Sequence, residues 1–166
     1  MPRRAPLDSH DTNVASAVDA IRRILHALRT SARKAEARAG VTGAQLFVLQ
    51  SLAEAPAASL NELAARTLTH QSTVSVVVDR LVRRDLVIKR RAQEDARRVE
   101  LRLSPRGRAL VRRAPQVAQA RLIDGLRALP RSEARELARL LRQLLRTMRA
   151  TREPAEMFFE ERGRSD

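Results

Sequence analysis

A short strand pattern between Arg90 and Ser104 constrains the fold of this chain more than any other feature. The stretch reads RRAQEDARRVELRLS, and apolar and polar residues alternate strictly from Val99 to Leu103. Such alternation predicts a half-buried β-strand, whereas apolar residues elsewhere recur at helical spacing. A lone two-stranded hairpin is stable only against a larger body. We therefore expect a mainly α-helical fold that carries one small β-hairpin.

The composition is that of a single domain with an aliphatic core. The chain has 166 residues, 43% of them hydrophobic, with three Phe and neither Trp nor Tyr. There is no cysteine, which excludes disulfides, thiol redox sensing and cysteine-bound zinc. The opening residues MPRRAPLDSHD lack the apolar segment of a signal peptide, and no run approaches the ~18 apolar residues of a membrane span. We therefore expect a cytoplasmic protein without a membrane partner.

The basic residues are concentrated in one part of the chain. The formal net charge is +14, from 33 Lys and Arg against 19 Asp and Glu. Residues 71–113 hold thirteen basic and five acidic residues, so about a quarter of the chain carries more than half of the excess. A high arginine background would explain the total charge but not this distribution. The concentration favours a polyanionic partner, with nucleic acid ahead of an anionic membrane surface.

Capping residues and helical periodicity divide the first half of the chain into four helices. After a disordered arm at residues 1–13, a long helix is predicted from about Val14 to Ala37. Capping boxes at Thr42–Gln45 and Ser59–Glu62 open the second and third helices. A fourth helix is predicted from about Gln71.

Prolines and serines divide the segment after the hairpin. Ser104 and Pro105 predict a fifth helix that continues to Leu126 with a kink at Pro115. Ser132 is predicted to cap a last helix, and a leucine stripe follows on it: Leu137, Leu140, Leu141, Leu144, Leu145 and Met148. Six helices and a hairpin leave the terminal helices little to pack on within one subunit. We therefore interpret this stripe as a dimer interface rather than an internal core.

The third and fourth helices, joined by residues 67–70, form a candidate helix-turn-helix. The fourth helix begins with small polar residues that can approach base edges, and arginines that can contact phosphate follow. An ordinary capped amphipathic helix would carry the same pattern, but the basic hairpin downstream favours DNA. The predicted DNA-binding residues are Gln71, Ser72, Thr73, Ser75, Val76, Arg80, Arg83, Arg84, Arg90, Asp95, Arg97 and Arg98.

In the order and spacing of these motifs the chain resembles the MarR family of winged helix-turn-helix regulators. The resemblance is carried by three groups of residues: Val41–Gln45; Ser72–Ser75 with Asp79, Leu81, Leu86, Val87 and Arg90; and Asp95, Arg97, Leu101, Leu103, Ser104, Pro105 and Gly107. It implies one domain at 14–150, with a DNA-binding lobe at about 41–104 and a tail at 151–166. It further implies a homodimer built from helices at about 14–38 and 105–150. Arg97 would be the minor-groove arginine and Asp95 the acid that orients it.

Two residues depart from the family pattern. Val76 stands where many relatives have a base-contacting arginine, which predicts contact with a thymine methyl instead. Asp85 stands where a glycine usually ends the recognition helix. We therefore expect Asp85 to end this helix in a left-handed conformation that costs some strain.

No catalytic, metal or cofactor site is predicted. His10, His26 and His70 are scattered, and there is neither a Ser/His/Asp constellation nor a glycine-rich phosphate loop. The resemblance implies a small, often aromatic, anionic effector in a crevice lined by His26, Arg29, Arg33, Phe47 and Gln50. Taken singly, Phe47 fits the core equally well, and the two arginines fit a solvated helix face.

The sequence thus predicts a dimeric, sequence-specific DNA-binding transcriptional regulator, most simply a ligand-responsive repressor on a pseudo-palindromic operator. A non-specific architectural DNA-binding protein is the first alternative, since charge alone would suit it. A protein-interaction adaptor that no longer reads DNA is the second, although the arginine-rich hairpin argues against it. None of these is an enzyme.

Overall fold

The computed structural model describes residues 8–91, 99–149 and Met157. Seven helices and one hairpin occupy these ranges. The helices are α1 (Ser9–Ala39), α2 (Gly43–Glu54), α3 (Leu60–Arg66), α4 (Gln71–Arg83), α5 (Pro105–Arg113), α6 (Ala118–Arg127) and α7 (Arg131–Thr147), and the strands are β1 (Val87–Arg91) and β2 (Val99–Leu103). The predicted fold class, mainly helical with one β-hairpin, is confirmed. No helix within the described ranges is long and apolar enough to cross a membrane.

The first helix begins at Ser9, five residues before the predicted start at Val14. Asp8 precedes it with extended backbone, and the Thr12 N–H donates to the Asp8 carbonyl at 2.9 Å. Asp11 in the first turn interacts favourably with the positive end of the helix dipole. Residues 9–13 of the predicted arm are therefore helical. Gly40 ends the helix with φ of 64° and an N–H bond to Glu36, as a glycine C-cap does.

The core forms mainly between α2, α4 and the hairpin. Leu46 and Leu49 of α2 and the inward residues of α4 are completely buried. The alternation of β2 gives the predicted two faces, because Leu101 and Leu103 are buried while Arg102 is partly exposed. Each buried aliphatic side chain contributes about 1.5–3 kcal/mol of hydrophobic free energy. This core supports both α4 and the base of the hairpin.

A single residue outside the hairpin, Ala57, pairs with β2, and the sequence did not predict this pairing. Antiparallel pairing runs from Val87 opposite Leu103 to Arg91 opposite Val99. On the other side of β2, Ala57 and Leu101 exchange two backbone hydrogen bonds of 2.8 and 2.9 Å. The segment between α2 and α3 is thereby fixed to the base of the hairpin.

The two predicted capping boxes differ in the structure. The Thr42 hydroxyl accepts from the Gln45 N–H and the Gln45 side chain accepts from the Thr42 N–H, so this box is complete. The Ser59 hydroxyl accepts from the Glu62 N–H at 3.0 Å. The Glu62 carboxylate, however, accepts from the Ala58 N–H at 2.7 Å instead of from Ser59.

The prediction of one kinked helix around Pro115 was wrong. The helix divides into α5 and α6, and residues 114–117 between them are not helical. Ala114 is extended, with ψ of 147°, as the steric demand of a following proline requires. Gln50 of α2 satisfies this break twice, since its amide donates to the Pro115 carbonyl at 2.8 Å and accepts from the Val117 N–H at 3.2 Å. The Ser31 hydroxyl of α1 accepts from the Ala118 N–H at 2.9 Å.

The last helix also begins differently from its prediction. Pro130, not Ser132, occupies the N-cap position, and α7 starts at Arg131 without a side-chain cap. The Pro130 ring fixes φ, which is −52°, and ψ of 144° makes this residue extended, so Ser132 lies inside the new helix. Met157 of the predicted tail is buried and belongs to the hydrophobic core. The remainder of that tail lies outside the described residues.

Candidate nucleic-acid interface

A tight turn fixes α3 against α4. The buried Thr67 hydroxyl donates to the Leu63 carbonyl at 2.8 Å, and the Thr69 N–H donates to the Ala64 carbonyl at 3.0 Å. Leu68 between them has φ of 51°, a left-handed conformation that is costly for a leucine. Two helices joined by four residues at 67–70 confirm the predicted helix-turn-helix.

Helix α4 has one buried and one exposed face. Val74, Val77, Val78 and Leu81 have no exposed surface. Gln71, Ser72 and Val76 are exposed, and Thr73 and Ser75 are half-buried beside them. The residues predicted to face DNA at the start of α4 therefore lie on the exposed side of the helix.

The N-terminus of α4 leaves backbone donors for an anion. The first N–H bonded within the helix is that of Val74, which donates to the His70 carbonyl. His70 occupies the N-cap position, and its side chain makes no hydrogen bond to the helix. The N–H groups of residues 71–73 thus keep the donor capacity and the positive dipole end that favour a phosphate group.

Val76 is an apolar residue in the middle of this polar face. Its side chain is 49% exposed, while the neighbouring valines of α4 are completely buried. An isolated exposed apolar residue is common on protein surfaces. Its position among Ser72, Thr73 and Ser75 places the two methyl groups where this face would meet a base edge.

The predicted arginines at the end of α4 separate into two groups. Arg83 is exposed, and no hydrogen bond or ion pair from it is found among the described residues. Arg80 is half-buried on the same helix, and Arg90 is exposed on β1. Nearby, Lys89 of β1 forms a 3.5 Å ion pair with Asp79 of α4. Arg80, Arg83 and Arg90 place positive charge along one side of the helix-turn-helix and hairpin.

Arg84 differs from the exposed Arg83 because its guanidinium donates hydrogen bonds to two groups of the protein. Its Nη2 donates to the Gly40 carbonyl at 2.7 Å, and its Nη1 donates to Gln45 Oε1 at 3.2 Å. These acceptors belong to the end of α1 and the start of α2. Arg84 was predicted to contact phosphate, and no local sequence pattern reveals these bonds, because 44 and 39 residues separate the partners.

Asp85 has the conformation predicted for it. Its φ is 56°, and its N–H donates to the Val82 carbonyl at 2.9 Å. The Ser104 hydroxyl donates to the Asp85 carbonyl at 2.7 Å and accepts from the Gly107 N–H at 2.9 Å. The end of α4 is therefore also bonded to the start of α5.

The tip of the hairpin lies outside the described residues. Asp95, Arg97 and Arg98 lie outside the described residues, so their DNA-binding roles stay predictions. The two described strands place residues 91 and 99, which flank the tip, opposite one another.

A crevice lies between α2, α5 and α6, with the end of α3 at its edge. Its volume is about 380 Å³, and its lining includes Phe47, Gln50, Val111 and Ile123. Charged residues at its margin are Glu54, Arg66, Asp124 and Arg127. Arg66 is partly engaged, because it donates to the carbonyls of Ala55 and Pro56 and pairs with Glu62. The crevice contains two of the five residues predicted for an effector.

The other three predicted effector residues lie elsewhere. His26, Arg29 and Arg33 are exposed on α1 and do not line the crevice. Gln50 is held by the break between α5 and α6, so its amide groups are already engaged. Among the described residues no group of three or more His, Asp or Glu side chains could hold a metal ion.

Comparisons with known proteins place this architecture in a family. A sequence model described as "MarR family" matches residues 39–98, from the end of α1 through the helix-turn-helix and into the hairpin. The helix-turn-helix segment of this chain therefore matches the MarR family. The HTH-type transcriptional repressor MdtR of Bacillus subtilis (strain 168) is 37% identical over 68 residues, which are 41% of this chain and 44% of MdtR. The match thus spans less than half the length of that curated relative.

Solved structures share the whole winged helix-turn-helix fold. One of them is BpsR of Bordetella bronchiseptica, whose DNA binding is regulated by 6-hydroxynicotinic acid. It is 26% identical to this chain, with a TM-score of 0.51. The match covers 84% of this chain and 97% of BpsR. AbsC of Streptomyces coelicolor, a MarR family transcriptional regulator, is 19% identical with a TM-score of 0.54, over 89% and 99% of the two chains. At 19% identity the likeness to AbsC concerns the fold alone.

Proposed function

We propose that this chain is a sequence-specific repressor that binds a pseudo-palindromic DNA operator as a homodimer. The observation that carries the proposal is the face of α4, where small polar residues and Val76 are exposed above a completely buried aliphatic face. The match of residues 39–98 to the MarR family and the similarity to the repressor MdtR support the repressor role.

In the proposed complex α4 enters the major groove with its N-terminal turns. Gln71 and Ser72 offer an amide and a hydroxyl to base edges, and Val76 offers methyl groups to thymine. The free N–H groups at residues 71–73 and the arginines Arg80, Arg83 and Arg90 meet phosphates. Arg97 and Arg98, with Asp95 orienting Arg97, are proposed to enter the adjacent minor groove, where arginine favours narrow A·T tracts.

A second copy of the chain is proposed to cover α1 and α7. Helix α7 buries none of its residues, and five large apolar side chains are exposed on it or at its end: Leu140, Leu141, Leu144, Leu145 and Met148. Helix α1 exposes five more: Val14, Val18, Ile21, Ile24 and Leu25. Apolar stripes of this length on two terminal helices are a surface that association would bury.

A small organic acid is proposed to regulate DNA binding from the crevice. Phe47 and Ile123 supply an apolar wall, and Arg127 at the margin supplies a cation that suits a carboxylate. The regulation of BpsR by 6-hydroxynicotinic acid supports an aromatic acid. His26, Arg29 and Arg33 stay a prediction for this ligand, since they lie outside the crevice lining.

Binding to a selected operator and to a scrambled duplex of equal length tests the central proposal. Duplexes enriched from a random pool should contain an inverted repeat. They should bind at least ~10³-fold more tightly than the scrambled control at physiological salt. A ratio near one would support the alternative, a non-specific architectural protein. Titration with 6-hydroxynicotinic acid and with benzoic acid tests the ligand, and a loss of operator affinity is the expected response.

A further inference from the structure

Arg84 connects two parts of the molecule that the proposed function assigns to different tasks. It is the C-cap residue of α4, the proposed recognition helix. Its two bonds reach the Gly40 carbonyl at the end of α1 and Gln45 in the first turn of α2. Helix α1 is one of the proposed dimerisation helices. We call these two hydrogen bonds the Arg84 bridge.

Both acceptors of the Arg84 bridge are themselves held in place. Gly40 has φ of 64° and its N–H is bonded to Glu36, which fixes the direction of its carbonyl. Gln45 Oε1 also accepts from the Thr42 N–H in the complete capping box. A planar guanidinium donates along fixed directions, so two fixed acceptors define its orientation. The bridge is therefore a geometric constraint between α1 and the end of α4.

The other side of the same helix end is bonded to α5. Ser104 joins the Asp85 carbonyl to the Gly107 N–H, at 2.7 and 2.9 Å. The residue pair Arg84–Asp85 is thus connected to the helix before the DNA-binding lobe and to the helix after it. The end of α4 cannot rotate against these helices without breaking charge-assisted or buried hydrogen bonds.

We propose that Arg84 is a positioning residue that fixes the angle of α4 to α1 and so sets the half-site spacing that the homodimer accepts. This inference depends on the proposed function, because spacing has meaning only for two recognition helices on one operator. In a two-fold dimer each recognition helix is placed by its own α1. Any freedom between α1 and α4 therefore changes the distance between the two half-sites that can be bound.

The test compares adjacent arginines in the full-length protein. Arg84→Gln removes the guanidinium and Arg84→Lys keeps the charge without the two fixed donors. Arg83→Gln is the matched control, because Arg83 is exposed and has no bonded partner among the described residues. Each protein is titrated against the selected operator and against versions with one base pair added or removed between half-sites, at four salt concentrations.

Wild-type protein should bind the original spacing far better than the altered ones, since one base pair turns a half-site by about 36°. Arg84→Gln should lose about tenfold on the original operator and much less on the altered ones, which flattens the preference. Its dependence on salt concentration should match wild type. Arg84→Lys should behave in the same way. Arg83→Gln should weaken all operators equally and lower the salt slope by about one.

The inference is overturned if Arg84→Gln keeps the spacing preference and lowers the salt slope, because Arg84 would then be a phosphate contact. Full rescue by Arg84→Lys would overturn it too, since charge alone would suffice. Thermal unfolding of each variant identifies a general loss of structure, and a large drop in melting temperature for Arg84→Gln would also count against a positioning role. Wild-type protein that binds no duplex selectively would instead contradict the proposed function.

Discussion

Gly107 is required by a close contact rather than by backbone conformation. A Cβ added there would lie 2.1 Å from the Leu86 carbonyl oxygen, a backbone atom at the start of the hairpin. We expect Gly107→Ala to separate α5 from this backbone and to lower the free energy of unfolding by about 2–3 kcal/mol. Urea denaturation followed by circular dichroism measures the change.

Gly125 provides the matched control for this prediction. It lies inside α6, and a Cβ there would have no neighbour within 4 Å. Because alanine favours helix over glycine, Gly125→Ala should raise the free energy of unfolding by about 0.5–1 kcal/mol. Equal effects of the two substitutions would show that the contact with Leu86 carries no special cost.

Glu62 should make the stability of the chain sensitive to acid. The Ala58 N–H, and then the Arg66 guanidinium, bind its carboxylate and hold the pKa of Glu62 below its usual 4.5. A carboxyl with a lowered pKa stabilises the folded state above the pKa of the unfolded chain. This contribution decreases as the pH falls through the folded pKa. Glu62→Gln should therefore be less stable than wild type at pH 7, and the difference should shrink as the pH falls below 4.5.

Urea denaturation of both proteins from pH 7 to pH 3 measures this difference. Because the Glu62 side chain is 40% exposed, the effect should be small. Glu133→Gln, an exposed residue of α7 with no ion pair among the described residues, is the control. A Glu62 difference that grows as the pH falls would contradict the assignment.

Among the elements, the break between α5 and α6 depends on one side chain. Among the described residues, Gln50 is the one partner of the Pro115 carbonyl and of the Val117 N–H. Gln50→Leu leaves both groups without partners and should lower the free energy of unfolding by about 1–3 kcal/mol. Hydrogen exchange at Val117 should accelerate more than exchange at Leu46 in the middle of the core. Unchanged exchange at Val117 would mean that water replaces Gln50 without cost.

The elements that the sequence predicted are those coded by local patterns. The alternation from Val99 to Leu103, the Thr42 capping box and the Ser104–Pro105 helix start all have the predicted structure. A kink was predicted at Pro115 instead of a break between two helices. The residue that bonds to the backbone groups at this break, Gln50, is 65 positions away in the sequence. The start of α1 was placed late because Asp8 caps the helix through backbone only. Local sequence patterns therefore predicted the type of most helices and strands but not all of the residues at which they begin and end.

In the candidate site, too, the sequence predicted what local patterns determine and missed what distant contacts determine. Gln71, Ser72 and Val76 could be placed on the exposed face because helical periodicity assigned the neighbouring valines to the core. The partners of Arg84 depend on the packing of α1 and α2 against α4, which no local pattern contains. The same holds for the effector residues, since Phe47 and Gln50 reach the crevice while the α1 residues do not.

For the whole molecule, the apolar stripe of α7 predicts the oligomeric state. Wild-type protein should sediment at twice 18.6 kDa. Replacing Leu141 and Leu145, both exposed, with Glu places charges in the proposed interface and should give monomers. Arg142→Gln on the same helix should leave the dimer intact. Sedimentation equilibrium distinguishes these outcomes, and a double variant that stays dimeric would exclude α7 from the interface.

The proposed dimer would restrict the geometry of the operator. Half-site centres should lie about 10 bp apart, with protection extending into A·T-rich flanks. Inserting five base pairs between half-sites turns one of them to the opposite face of the duplex and should abolish tight binding. A footprint on one asymmetric site, or tolerance of the five-pair insertion, would favour a monomeric or non-specific mode.

The length of α1 makes it a lever arm. Its 31 residues, at 1.5 Å each, span roughly 46 Å. A tilt of about 5° at one end of a rod of this length moves the other end by ~4 Å, which exceeds the 3.4 Å rise of one base pair. Because Gly40, at the end of this rod, is bonded to Arg84, a tilt of α1 by a few degrees would move the proposed recognition helix by about one step along the duplex. The proposed effector would therefore have to supply only enough binding energy to favour a few degrees of rotation.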